Sequence, residues 1–206
     1  NKFVLFNSFA FLIFAPSFFL TYFILTGRAR LVLVVASSYF FYAWWDWRFT
    51  SLLILSTVID YLIGLRLSKT KHQRHRPLLL MGSLCSNLGI LATFKYFDFF
   101  SSSFQQLMQS FGWNPSTPVL QLILPVGISF YTFQTLSYTI DIYRGQMAPE
   151  KSLLRFSAYV ALFPQLVAGP IVRASHLLPQ LRINNRFDTD NMARGMEMVI
   201  WGFFLK

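Results

Sequence analysis

Charge is scarce in this 206-residue chain, and charge of one sign is scarcer still. Only 13% of residues are charged, and 8 acids stand against 18 lysines and arginines, for a net charge of +10. The single cysteine, Cys85, excludes an intrachain disulfide and any thiolate cluster for a metal. There is no glycine-rich phosphate loop and no Ser-His-Asp spacing. What fills the space is apolar: 54% hydrophobic residues, 18% aromatic, with 24 phenylalanines. That balance excludes an ordinary soluble domain and fits an integral membrane protein. The basic excess sits between apolar runs, where membrane topology places it, so no nucleic-acid partner is expected.

Apolar runs cover residues 3–25, 31–45, 50–67, 78–100 and 122–144, and a further one begins at Met196. About 20 apolar residues cross a bilayer, so the expected fold is an all-α, polytopic transmembrane helix bundle. The first run lacks a small-residue cleavage site and is read as a retained span. The chain starts without Met and stops at Lys206, in or just after an apolar run. It is therefore expected to be part of a longer protein, continuing past Lys206. Between the third and fourth runs lies RLSKTKHQRHR, residues 66–76, with five cations and no acid. His72 and His75 stand there at H-x-x-H spacing, but two imidazoles among cations and no carboxylate predict a solvated loop, not a metal site. Residues 101–118 carry no charge and are expected to form a link on the opposite side.

Residues 156–172 are harder to read, because Pro164, Gly169 and Pro170 interrupt them. Broken backbone survives at membrane depth only under cover of protein or of a water-filled cavity. Both a kinked span and a re-entrant segment fit. With the loop at 66–76 inside and a re-entrant 156–172, 14 basic residues lie inside against Lys2 and Arg48 outside, which favours the re-entrant form.

The chain is organised around LILPVGISFYTFQTLSYTIDIYR, residues 122–144. Tyr131, Gln134, Tyr138 and Asp141 recur at steps of three, four and three, so on a helix they form one stripe. Such groups must face protein, water or one another inside a membrane. Both a packing seam and the wall of a polar cavity satisfy that. Gln165, Arg173 and His176 flank the broken segment. His176 reads as a polar residue at a water edge, while Asp60 and Asp141 are expected to pair with arginines or to cap backbone.

In order along the chain, LFNSFAFLIF, SSYFFYAWWDWRF, YLIGLRL, FKYFDFF, LPVGISFYTFQTLSYTIDIYRG and LFPQLVAGPIVR resemble the membrane-bound O-acyltransferase family. The resemblance is to its bacterial alginate O-acetyltransferase branch, in the N-terminal part, and covers nearly the whole chain as a single domain. It implies a multi-helix fold around a tunnel in the cytoplasmic membrane. It also implies acyl transfer from a donor such as acetyl-CoA on the cytoplasmic side to a hydroxyl acceptor. That acceptor is a polysaccharide across the membrane, reached directly or through a periplasmic acetylation protein. The donor is a substrate, and no permanently bound cofactor or metal is implied.

The family's histidine, in a Trp-His-Gly type context, does not occur here. The resemblance implies that it lies beyond Lys206, so no catalytic residue is assigned in this chain. Tyr131, Gln134, Tyr138, Asp141, Gln165 and Arg173 are the candidates to line the tunnel. A transporter or channel, or a non-catalytic scaffold for an acetylation complex, is the alternative.

Overall fold

The structure, a computed structural model, describes residues 8–70, 74–113, 125–182 and 187–205. Among them every regular element is helical. Helix α1, Phe9–Ile24, starts at Ser8, whose hydroxyl accepts the Phe11 N–H at 3.2 Å. Helix α2, Gly27–Lys69, is 43 residues long and joins two runs that the sequence separates. Its halves meet at Asp46, with φ −157° and ψ 112°, and the Asp46 carboxylate accepts the Arg48 N–H at 2.9 Å. The interval 46–49 between the second and third apolar runs is thus reduced to one extended residue that caps the second half.

Helix α3, His75–Ser110, is longer than its apolar run. The expected uncharged link is helical through Ser110, and its remainder from 114 lies outside the described residues, as does His72. Serine and glutamine at 101–110 are compatible with helix, and lack of charge is not by itself a loop signal. The second half of α2 and α3 are both long and apolar enough to cross a bilayer. Much of α3 presents bare apolar side chains, among them Leu78, Met81, Leu88, Phe99 and Phe100, as a lipid-facing surface would.

The central stretch is shorter as a helix than its apolar run suggests. Helix α4, Ile128–Tyr143, begins only after Gly127, which takes φ +77°. A Cβ there would lie 2.8 Å from the Leu166 carbonyl, so both conformation and space demand glycine. Sixteen residues rise about 24 Å, less than a bilayer core of about 30 Å. Residues 122–124 lie outside the described residues.

The proline-rich stretch is broken, as its composition predicts. It comprises α5, Leu153–Ala161, then α6, Phe163–Ala168, separated at Leu162, then extended backbone and α7, Ala174–Gln180. Pro164 stands in the first turn of α6, where a missing N–H costs nothing. Short as it is, α5 lies deep: Phe156, Ala158, Tyr159, Val160 and Ala161 are almost fully buried. It packs on α2, α4 and α7. Phe163 inserts between α1 and α2, its ring 5.0 Å from Phe18, 5.2 Å from Phe14 and 5.5 Å from Phe41. The last helix, α8, Thr189–Phe204, leaves Met196, Met198, Ile200 and Trp201 exposed. Lys206 lies outside the described residues.

Candidate functional site

The α4 stripe is real and is turned inward: Tyr131, Gln134, Tyr138 and Asp141 are all buried. Its partners come mainly from α5 and the loop before it. Gln134 Nε2 donates to the Tyr159 carbonyl at 2.8 Å, and the Tyr159 hydroxyl lies 3.2 Å from the Gln134 carbonyl. That hydroxyl is also 3.3 Å from the Val172 carbonyl, tying the extended segment to the same seam. The Tyr138 hydroxyl accepts the Glu150 N–H at 3.0 Å, and its ring lies 4.5 Å from Phe156. Tyr131 differs. Its hydroxyl is buried with no hydrogen-bond partner among the described residues.

Of the residues around the broken segment, Gln165 is buried and donates from Nε2 to the Pro170 carbonyl at 3.2 Å, closing its own loop. Arg173, at the start of α7, and His176 within it are exposed. The structure therefore joins Gln134 and Tyr138 to α5 and the loop before it, buries Tyr131 and Asp141 on the same face, and leaves Arg173 on the surface.

A second polar centre connects α2, α3 and α4. Each helix contributes two residues four apart: Ser56 and Asp60, Ser83 and Asn87, Thr135 and Thr139, all nearly or fully buried. Ser83 donates to Asp60 Oδ1 at 2.5 Å and Asn87 Nδ2 to Asp60 Oδ2 at 2.7 Å, with Thr139 Oγ1 at 3.5 Å. Asn87 Oδ1 accepts from Ser56 at 2.6 Å, and Thr135 Oγ1 lies 3.5 Å away. The expected arginine partner of Asp60 is replaced by hydroxyls and an amide. Neutral donors satisfy a buried carboxyl without bringing a second charge out of water. The signal was present in the sequence as i,i+4 polar pairs within three apolar helices, but only packing shows that they meet.

The one strong ionic centre among the described residues lies beyond the helix. Glu150, in the α4–α5 loop, has its side chain only 2% exposed and bridges Arg155 at 2.7 Å and Arg182 at 2.8 Å. Burial alone would raise its carboxyl, but the Arg182 hydrogen bond, the Ser152 N–H and the charges of both arginines hold it below the usual glutamate range. At the same, C-terminal end of α4, Arg76 donates to the Tyr143 carbonyl at 2.8 Å, a cation on a helix C-terminus.

Long apolar helices with exposed apolar flanks, packed on buried polar seams, define a helical membrane protein. Comparison with known proteins takes this further. The chain is 39% identical over 203 residues to a protein of Azotobacter vinelandii named "Probable alginate O-acetylase AlgI". It is equally similar to the protein of that name from Pseudomonas aeruginosa, and 32% identical over 235 residues to the peptidoglycan O-acetyltransferase of Helicobacter pylori. These alignments take in 97–98% of the chain and 38–44% of the relatives. Along nearly its whole length the chain is thus similar to part of proteins named as O-acetyltransferases. It spans about two-fifths of the length of the relatives it matches. No family model matches it, and no solved structure is similar to it.

Proposed function

We propose that the whole protein is a multi-pass O-acetyltransferase of the bacterial cytoplasmic membrane, moving an acetyl group to a hydroxyl of a polysaccharide outside it. One observation carries this reading: nearly the entire chain aligns with alginate O-acetylases and, more distantly, with a peptidoglycan O-acetyltransferase. Those names differ in acceptor and share the reaction. The donor in this reading is an activated acetyl carrier such as acetyl-CoA on the cytoplasmic side, and transfer runs directly or through a periplasmic acetylation protein.

Acyl transfer to a hydroxyl needs a positioned base and a dry enclosure, since water would otherwise consume the activated acyl group. A passage through a helical bundle supplies the enclosure, and in this reading the base comes from residues beyond Lys206. In this scheme Tyr131, Gln134, Tyr138 and Asp141 belong to the passage wall, with Gln134 and Tyr138 braced through the α4–α5 seam. Gln165 and Arg173 belong to the broken segment beside it.

The test is a deletion strain complemented with the full-length gene. O-acetyl groups on exported polysaccharide should vanish on deletion and return on complementation, and membrane vesicles should transfer label from acetyl-CoA. Unchanged acetylation in the deletion strain would sink the proposal.

A further inference from the structure

The junction of α2 and α3 holds a cleft apart from the α4 residues described above. The end of α2 and the start of α3 enclose an open cleft of about 470 Å³, lined by Arg66, Lys69, Thr70, His75, Leu78 and Leu79. No carboxylate is among its lining residues, and no aspartate or glutamate occurs between Asp60 and Asp98. Arg76 is turned away to the carbonyls at the end of α4, which leaves Arg66 and Lys69 as the two full cations of the lining. The other side of the lining is apolar, and Leu78 is 63% exposed. A soluble anion has no use for an exposed leucine beside its phosphate. A phospholipid does, for its glycerol and first methylenes. The position agrees: the cleft lies where the two bilayer-length helices end, and the end of a span of that length falls at the headgroup layer.

We infer that this cleft binds the phosphodiester headgroup of an anionic phospholipid, with Arg66 and Lys69 on the phosphate and Leu78 and Leu79 against the glycerol and upper acyl chain. The cationic end of a helix pair is where such lipids bind. The inference rests on the membrane reading above, and does not depend on which polysaccharide is acetylated.

The experiment uses full-length protein in detergent, melted with phosphatidylglycerol, phosphatidylcholine, inorganic phosphate or coenzyme A. Phosphatidylglycerol alone should raise the melting temperature saturably. Arg66→Gln with Lys69→Gln should weaken the apparent affinity roughly 30-fold, at about one surface-cation increment each. The exchange Arg66→Lys with Lys69→Arg should retain it, and this pair keeps the test valid should the neutral pair fold poorly. Arg48→Gln, an exposed cation at the other end of the same α2 half, should change nothing.

An equal shift from inorganic phosphate or coenzyme A would overturn the lipid assignment and make the cleft a soluble-anion site. Equal loss in Arg48→Gln would reduce the effect to net charge and overturn the site. Protein that stays in carbonate-washed membranes but shows no phosphatidylglycerol shift overturns the cleft alone. Protein released by the wash overturns the membrane reading with it.

Discussion

At the residue scale, Gln134 and Glu150 show how one side chain fixes two segments. Gln134 bonds across the α4–α5 seam, so Gln134→Leu strips the Tyr159 carbonyl of its donor. The expected cost is about 1 kcal/mol of stability, the usual worth of such a bond in a membrane. A melting curve in detergent should show the loss, while turnover per folded molecule stays unchanged. A fall in turnover of about two orders of magnitude with normal melting would instead put Gln134 at the reacting groups.

Glu150 predicts a pH dependence. Its folded carboxyl titrates below its unfolded value, so its stabilisation is complete above the ordinary glutamate range. That stabilisation drains as the pH falls from there toward the folded value. The melting temperature should therefore drop on acidification more steeply in the wild type than in Glu150→Gln, whose deficit shrinks toward low pH. Parallel curves would show that the two arginine bridges contribute nothing.

At the scale of elements, α2 and α4 touch through Gly64. A Cβ placed there would sit 2.9 Å from Tyr138 Cε1 and 3.1 Å from Ile142 Cδ1. The Tyr138 ring cannot simply swing aside, because the Glu150 N–H and Phe156 hold it. Gly64→Ala should destabilise by about 1–3 kcal/mol through overpacking. Gly82, with open space around it, should tolerate alanine. Comparing the two melting temperatures checks the contact, and equal values would mean that α2 and α4 do not approach so closely. Such small-residue contacts let membrane helices meet at short range. The same reasoning explains why the proline-rich stretch could be recognised as broken before its course was known. Pro164 and Pro170 mark where backbone bonds fail, but α5 is placed in the core by Phe156 and Tyr159 finding α4.

For the whole molecule, the distribution of charge predicts orientation. The basic end of α3 belongs on the cytoplasmic side and its other end outside. Single cysteines at Lys69 and at Ser110, in a Cys85→Ser background, should label from opposite faces with an impermeant thiol reagent, and labelling from one face would refute the arrangement. Composition and run lengths alone determined that the chain is helical and belongs in a bilayer, because transfer energy depends on what residues are, summed along a segment. The stripe on α4 was legible for a similar reason, since helical periodicity puts Tyr131, Gln134, Tyr138 and Asp141 on one face without any knowledge of neighbours. What lies opposite that face was decided only in three dimensions. Gln134 meets Tyr159, 25 residues on, and Asp60 meets Ser83, Asn87 and Thr139 from two other helices. Element ends were likewise settled by local geometry that hydropathy ignores, as at Gly127 and Asp46. Hydrogen bonds are short and directional, so which donor reaches which acceptor depends on helix placement to within about an ångström, and no sum along the sequence contains that information.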